Sequence, residues 1–263
     1  MSGHSKWSKI KHKKALTDAK KGKVFSKLAQ QITIAAREGG DPESNFSLRL
    51  LIDKAKSASM PADNIQRAVD RGAGKGSEEI HLEKVTYEGI GPLGVSVIVE
   101  TLTDNKNRTV ADLRKTFSER GGALAEAGAV MWNFDQLGLV TLKAGSMKKS
   151  EKYGHSDEFV PSDPEEVTLA LMEIQGITDI DNYHDDEENV EYLDVYTDPK
   201  SLTTVRDTIK DMGYVITSAE LIWRAKVQKE LDEQEVERIR EFVEAVEEHD
   251  DIQSVWTDID DQL

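Results

Sequence analysis

Between Gly3 and Lys27 the chain carries nine lysines, Lys6, Lys9, Lys11, Lys13, Lys14, Lys20, Lys21, Lys23 and Lys27, against a single acid, Asp18. Trp7, His4 and His12 are interleaved with them. A dense row of mobile ammonium groups with an aromatic among them can neutralise a phosphodiester backbone and stack on a base. The bland alternative is a solvated, frayed terminus. Nucleic acid is favoured because the helical pattern that follows is basic as well.

Other residues invite chemistry less well. His184-Asp185-Asp186-Glu187-Glu188 lacks the alternating ligands and turn glycine of a calcium loop and reads as a solvated acidic hairpin. The acids from Asp232 to Glu248 lie mostly on the outer face of one helix, as solubilising charge. Histidines at 4, 12, 81, 155, 184 and 249 form no HExxH pair and flank no G-x-S-x-G serine. Gly74-Lys75 lacks the leading glycine, the following Ser or Thr and the preceding strand of a P-loop. Gly89, Gly91 and Gly94 spell G-x-G-x-x-G, but the β-branched run VSVIV follows them where a helix N-terminus is required, so a glycine-rich hairpin is expected. In Thr103–Thr109, Asp104 and Asn105 can cap a helix from which Lys106, Asn107 and Arg108 project, a natural place for a phosphate, although capping alone explains the pattern. Carboxylates converging from Glu88, Glu100 and Asp104 could hold a metal for cleavage of nucleic acid, the enzyme alternative.

The elements that must position these groups follow from periodicity. Phe25, Leu28, Ala29, Ile32, Ala35 and Ala36 recur at helical spacing over 17–38, stopped by Gly39-Gly40. Asn45 can cap a second helix with Leu48, Leu51, Ile52, Ala55 and Ala58 on its stripe, and Pro61 can open a third with Ile65, Ala68 and Val69, closed by Gly72. Three short amphipathic helices make a bundle whose exposed face collects Arg37, Arg49, Lys54, Lys56, Arg67 and Arg71. A helix-turn-helix is compatible with this, as with any small bundle. A polar linker over 72–79 leads to strands at 84–88 and 95–101, a helix to about Arg120 buried by Val110, Leu113 and Phe117, and a strand over 130–134. Then follow a strand at 138–142, a helix at 164–174, strands at 177–180 and 190–197, a helix at 202–212 and a strand at 215–221, the β-α-β-β-α-β order of a ferredoxin-like layer. The tail adds a strand at 222–227, a helix at 233–247 and a strand at 252–256. The expected fold is α+β multidomain: an N-terminal three-helix bundle (1–76) and two ferredoxin-like α+β domains, one discontinuous (77–135 and 222–263) with the other (136–221) inserted in it.

Charge divides along the same lines. The 263 residues carry a net charge of −16, yet residues 1–75 hold sixteen basic and seven acidic side chains, a net of +9, leaving −25 for the remainder. A basic recognition module on an acidic body avoids indiscriminate adhesion to nucleic acid. With no cysteine, disulfides, thiolate metal sites and thiol catalysis are excluded. No apolar run approaches the roughly 20 residues of a membrane span, and the N-terminus lacks the apolar core of a secretory signal. A cytoplasmic location is expected.

Several motifs carry a family resemblance. Gly3-His4-Ser5-Lys6-Trp7, Ile10 to Ala15, Asp18 to Lys23, Met60-Pro61, Asp63-Asn64-Ile65, Tyr87-Glu88-Gly89, Gly91-Pro92 and Thr103 to Thr109 together resemble the YebC/PmpR family, which includes the mitochondrial translational activator of cytochrome oxidase. The match is dense to about Phe134 and collinear beyond. Leu93 stands where a glycine is usual, Phe46-Ser47 replaces a common Pro-Arg, and 148–163 is idiosyncratic. The absent arginine at position 47 removes one potential phosphate contact. The resemblance implies a helical domain and two α+β domains around a cleft, no known catalytic activity, no cofactor, and DNA-binding regulation of transcription in the cytoplasm. A second reading within the family is a ribosome-associated factor, bound to ribosomal RNA, that assists synthesis through proline-rich stretches. The resemblance carries over no base-reading residue.

The sequence therefore points to a non-enzymatic, monomeric nucleic-acid-binding regulator with DNA or ribosomal RNA as partner, and with no membrane, metal or small-molecule substrate. Its expected contacts are Lys6, Trp7, Lys9, Lys11, His12, Lys13, Lys14, Lys20, Lys21, Lys23, Lys27, Arg67, Arg71, Lys106 and Arg108.

Overall fold

A computed structural model describes residues 18–75, 82–148, 158–186 and 188–259, with backbone alone at 18–20 and 46. The class is mixed α+β, with seven α-helices and two sheets among the described residues. None of these helices is long and apolar enough to cross a membrane. The chain divides into two compact units, Gly3–Asp135 with Arg224–Leu263, and Gln136–Trp223.

The first unit opens with α1 (Asp18–Ala35), continued by a 3₁₀ turn at Ala36–Glu38. α2 (Phe46–Ser57) and α3 (Ala62–Gly72) follow. One buried side chain joins the first two helices. The Asn45 amide nitrogen donates to the carbonyls of Ala35 and Gly39, at 2.7 Å each, while its oxygen accepts the Leu48 N–H at 3.1 Å. Asn45 thus satisfies orphan carbonyls at the end of α1 and an orphan N–H at the start of α2. Leu28, Ile32, Leu48, Ala55, Ile65 and Val69 form the core of the bundle. Pro61 lies one position outside α3, as its cap, at the usual proline φ of −57°. Gly72 does more than stop α3. A Cβ there would fall inside contact distance of the Thr33 carbonyl oxygen and lie 2.7 Å from the Ala36 Cβ, so glycine sets how closely α3 approaches α1.

The sheet of this unit joins β1 (Glu83–Ile90), β2 (Ser96–Thr103), β3 (Ala123–Leu124) and β9 (Ile252–Thr257) in the order β3-β1-β2-β9. β1 and β2 pair antiparallel, Glu83 opposite Thr103 and Ile90 opposite Ser96. The glycine-rich hairpin is therefore present, and its connection is a tight turn at Pro92–Gly94 in which Leu93 adopts φ +59°, a conformation glycine takes at less strain. α4 (Lys106–Glu119) and α7 (Glu233–Glu247) supply apolar faces to the same core. Within it Phe117 meets Phe242 edge to face, with centroids 4.9 Å apart.

The second unit holds most of β4 (Phe134–Lys148), with β5 (Glu158–Pro161), α5 (Pro164–Met172), β6 (Ile177–Asp185), β7 (Val190–Thr197), α6 (Leu202–Asp211) and most of β8 (Tyr214–Ala225). β4 pairs antiparallel with β7, and β7 with β6, while β8 also pairs with β4. Its buried residues include Val140, Leu142, Val167, Leu193, Val195 and Ile209.

Several elements differ from the sequence expectation. The apolar run at 130–134 is not a strand: Met131–Asn133 forms a 3₁₀ turn, because the Glu88 carboxylate takes the N–H groups of Val130 and Met131 out of any ladder. The strand flanking β1 is Ala123–Leu124 instead. β4 runs from Phe134 to Lys148, well beyond 138–142, and its far end pairs with β5, which periodicity did not announce. The two strands expected at 215–221 and 222–227 are one, β8.

Candidate nucleic-acid interface

Lys6, Trp7, Lys9, Lys11, His12, Lys13 and Lys14 lie outside the described residues, and Lys20 is described by backbone alone. Lys21 is exposed on α1. Lys23 and Lys27, one helical turn apart, face the C-terminus of α7. The Lys23 ammonium donates to the Glu248 carbonyl at 2.5 Å and lies 3.9 Å from the Asp250 carboxylate. Lys27 donates to the Glu247 carbonyl at 3.0 Å. A helix C-terminus presents orphan carbonyls and the negative end of its dipole, and α7 has no basic residue in its own last turn. These lysines supply the missing cations, and a bond between Gln253 and Gln30 at 3.1 Å adds to the contact. The missed signal is the acidic ending Glu247 to Asp251, which a cation from another element must offset.

On the bundle, Arg67 and Arg71 are exposed on α3. Arg67 donates to the Asp63 carbonyl at 3.2 Å and to the Asn64 side chain. Arg37 reaches the Leu82 carbonyl at 2.9 Å, and Arg49 the carbonyls of Pro42 and Glu43, so both tie loops down.

At the start of α4, Asn105 is the cap, accepting the Arg108 N–H at 3.1 Å. Lys106 pairs with Glu83, whose hydrogen bond and charge raise its pKa. Arg108 bridges Asp104 at 2.8 Å and Asp251 at 3.1 Å. Asp251 also accepts from the hydroxyls of Thr103, at 3.1 Å, and Thr109, at 2.7 Å. The threonines and arginine of this segment thus close on one carboxylate from the loop before β9. Arg108, Thr109 and Asp251 line, with Lys23, Asp112 and Asp250, a cavity of about 460 Å³ of mixed sign.

The carboxylates considered for a metal are each engaged elsewhere. Glu100 pairs with Lys84 at 3.1 Å, and Asp104 with Arg108. Glu88 is buried, and its oxygens accept the N–H groups of Gly128, Val130 and Met131 at 2.6, 2.8 and 2.9 Å. Burial pushes its carboxyl up, but the three backbone donors outweigh that and hold its pKa below the ordinary glutamate value. No group of three or more His, Asp or Glu among the described residues could hold a metal ion. Sequence reasoning missed Trp132, a residue 68% exposed on the turn that Glu88 organises.

A cation-bearing three-helix module ahead of two antiparallel sheets defines the class of protein. Residues 5–75 match the family model described as the TACO1/YebC protein N-terminal domain, and residues 82–259 match that of the TACO1/YebC second and third domain. The chain belongs to the TACO1/YebC family. It is 44% identical over 261 residues to a probable transcriptional regulatory protein of Herpetosiphon aurantiacus, covering 99% of this chain and 95% of that one. A protein of the same description from Lactiplantibacillus plantarum is 40% identical, with 97% of each chain covered. The crystal structure of a conserved hypothetical protein from Aquifex aeolicus superposes with a TM-score of 0.78 at 35% identity, covering 97% of this chain and 96% of the other.

Proposed function

We propose that this protein is a non-enzymatic regulator of gene expression that binds DNA through its N-terminal module and acts as a monomer in the cytoplasm. The observation that carries the reading is the segregation of charge, +9 over residues 1–75 against −25 over the rest. The names of the relatives as probable transcriptional regulatory proteins support it. In this reading Lys6, Lys9, Lys11, Lys13, Lys14, Lys20 and Lys21 contact phosphates, Trp7 and His12 lie among them, and Arg67 and Arg71 extend the basic surface. Lys106 and Arg108 join the contact surface by exchanging their carboxylate partners for phosphate. Lys23 and Lys27 mark where the module rests on α7. Lysine is chiefly a backbone contact, so affinity exceeds base discrimination.

The molecule so read has three parts: the helical module (1–76), a discontinuous α+β layer (77–135 and 222–263) and an inserted ferredoxin-like layer (136–221). The neighbour sequence β8-β4-β7-β6 in the second sheet and the pairing of β9 with β2 in the first support that arrangement. The test is retention of labelled duplex DNA at about 0.15 M salt, run beside sedimentation of a cell lysate. Duplex retention by a protein that stays off ribosomes supports the reading. Co-migration with ribosomes without DNA retention overturns it.

A further inference from the structure

We propose that Trp132 and Lys226 form a second nucleic-acid contact, one that takes an unpaired base rather than a duplex. The inference rests on the nucleic-acid reading above and names the form of polymer bound. Trp132 and Val227 are 68% and 66% exposed, yet the turn carrying the indole is fixed from several sides. The buried Glu88 carboxylate takes three of its N–H groups. The Asn133 side chain donates to the Val227 carbonyl at 2.9 Å and accepts the Val227 N–H at 3.0 Å, while the Lys226 N–H donates to the Asn133 carbonyl at 2.7 Å. Holding a large apolar side chain in water on so braced a support serves no packing purpose.

The chemistry of the patch selects the occupant. The indole N–H donates to the Ala129 carbonyl at 3.0 Å, so the ring offers a π face and no directed donor. Small exposed residues, Ala127, Gly128 and Ala129, precede it in the turn. The Lys226 ammonium lies 3.0 Å from the Trp132 carbonyl, with Asp135 3.1 Å away as its exchangeable counterion. Residues 224–229 hold Arg224, Lys226 and Lys229 and no acid, a cationic run in a body of charge −25. A flat π surface beside a cation suits stacking of a splayed-out base with its phosphate on the ammonium, and a paired base hides its faces.

The test uses the full chain, titrated by fluorescence anisotropy with labelled single-stranded DNA, single-stranded RNA and blunt duplex DNA of one mixed sequence, at about 0.15 M salt. Trp132→Ala is expected to weaken single-strand binding about five- to a hundred-fold and leave duplex binding unchanged, with Trp132→Phe retaining most of the affinity. Lys226→Gln is expected to flatten the single-strand salt slope by about 0.7. An unchanged melting temperature in Trp132→Ala shows that the fold is intact. The two single-strand arms decide which polymer supplies the base. Single-strand binding that Trp132→Ala leaves intact, or an equal loss on duplex, overturns the inference and assigns the patch to a protein contact. A wild-type protein that holds duplex but no single strand also overturns it while sparing the proposed function; one that holds neither overturns both.

Discussion

Glu88 shows how one side chain can decide a local structure. Its carboxylate accepts three backbone N–H groups and so turns the chain where apolar periodicity alone calls for a strand. Charge-assisted bonds of this kind contribute about 1.5–3 kcal/mol when buried. Glu88→Gln should therefore lower stability by roughly 2 kcal/mol at pH 7 in urea unfolding. Because the folded pKa lies below the unfolded one, the charge of Glu88 stabilises fully above the ordinary value of about 4.3 and loses its effect as pH falls through the folded pKa. The gap between wild type and Glu88→Gln should narrow below about pH 4, and a gap constant with pH would contradict the assignment. The glutamate was visible in the sequence, but its partners lie about 40 positions away in backbone that has no sequence signature.

At the scale of elements, the helices were legible because each of the first three buries a single stripe and carries its own stop. Asn45 was legible as the cap of α2, whereas its second function, closing α1, depends on tertiary placement. Gly72 was legible only as a terminator, since close approach to Thr33 belongs to the packed pair and not to either helix. Gly72→Ala gains up to about 1 kcal/mol of helix propensity, but the added methyl meets backbone that cannot rotate aside. A net loss of about 1–3 kcal/mol is expected, read as a lower melting temperature. The seat of α1 on α7 is testable separately. Lys23→Gln with Lys27→Gln removes two cations from a helix C-terminus, at about 0.3–1 kcal/mol each. The double variant should show faster amide exchange in α1 and a smaller effect on nucleic-acid affinity than glutamine replacement of Lys6, Lys9, Lys11, Lys13 and Lys14. A larger effect on affinity would return these two lysines to the contact surface.

At the scale of the whole molecule, the division of charge was the most readable property, because it needs only a count along the chain. The candidate interface was readable as composition, and less so as geometry: at the start of α4 Arg108 is closed on Asp251 and Lys106 on Glu83, carboxylates whose positions in space no local pattern records. For the full chain on duplex DNA, log K should fall with log salt at a slope of about −0.9 for each phosphate neutralised. Replacing the five lysines from Lys6 to Lys14 by glutamine should flatten that slope by about 4.5; a slope unchanged by that replacement would move the contact elsewhere on the molecule.

The pairing of β2 with β9 has a consequence for synthesis. β2, with Val97, Ile98 and Val99 fully buried in the finished protein, is translated long before the strand that covers its free edge; Ser96 waits for Asp258, 162 positions downstream. Throughout that interval a growing chain displays an uncovered, β-branched ribbon of the sort that seeds aggregation. Nascent chains cut off ahead of Ile252 should therefore draw on chaperones far more heavily than complete ones do.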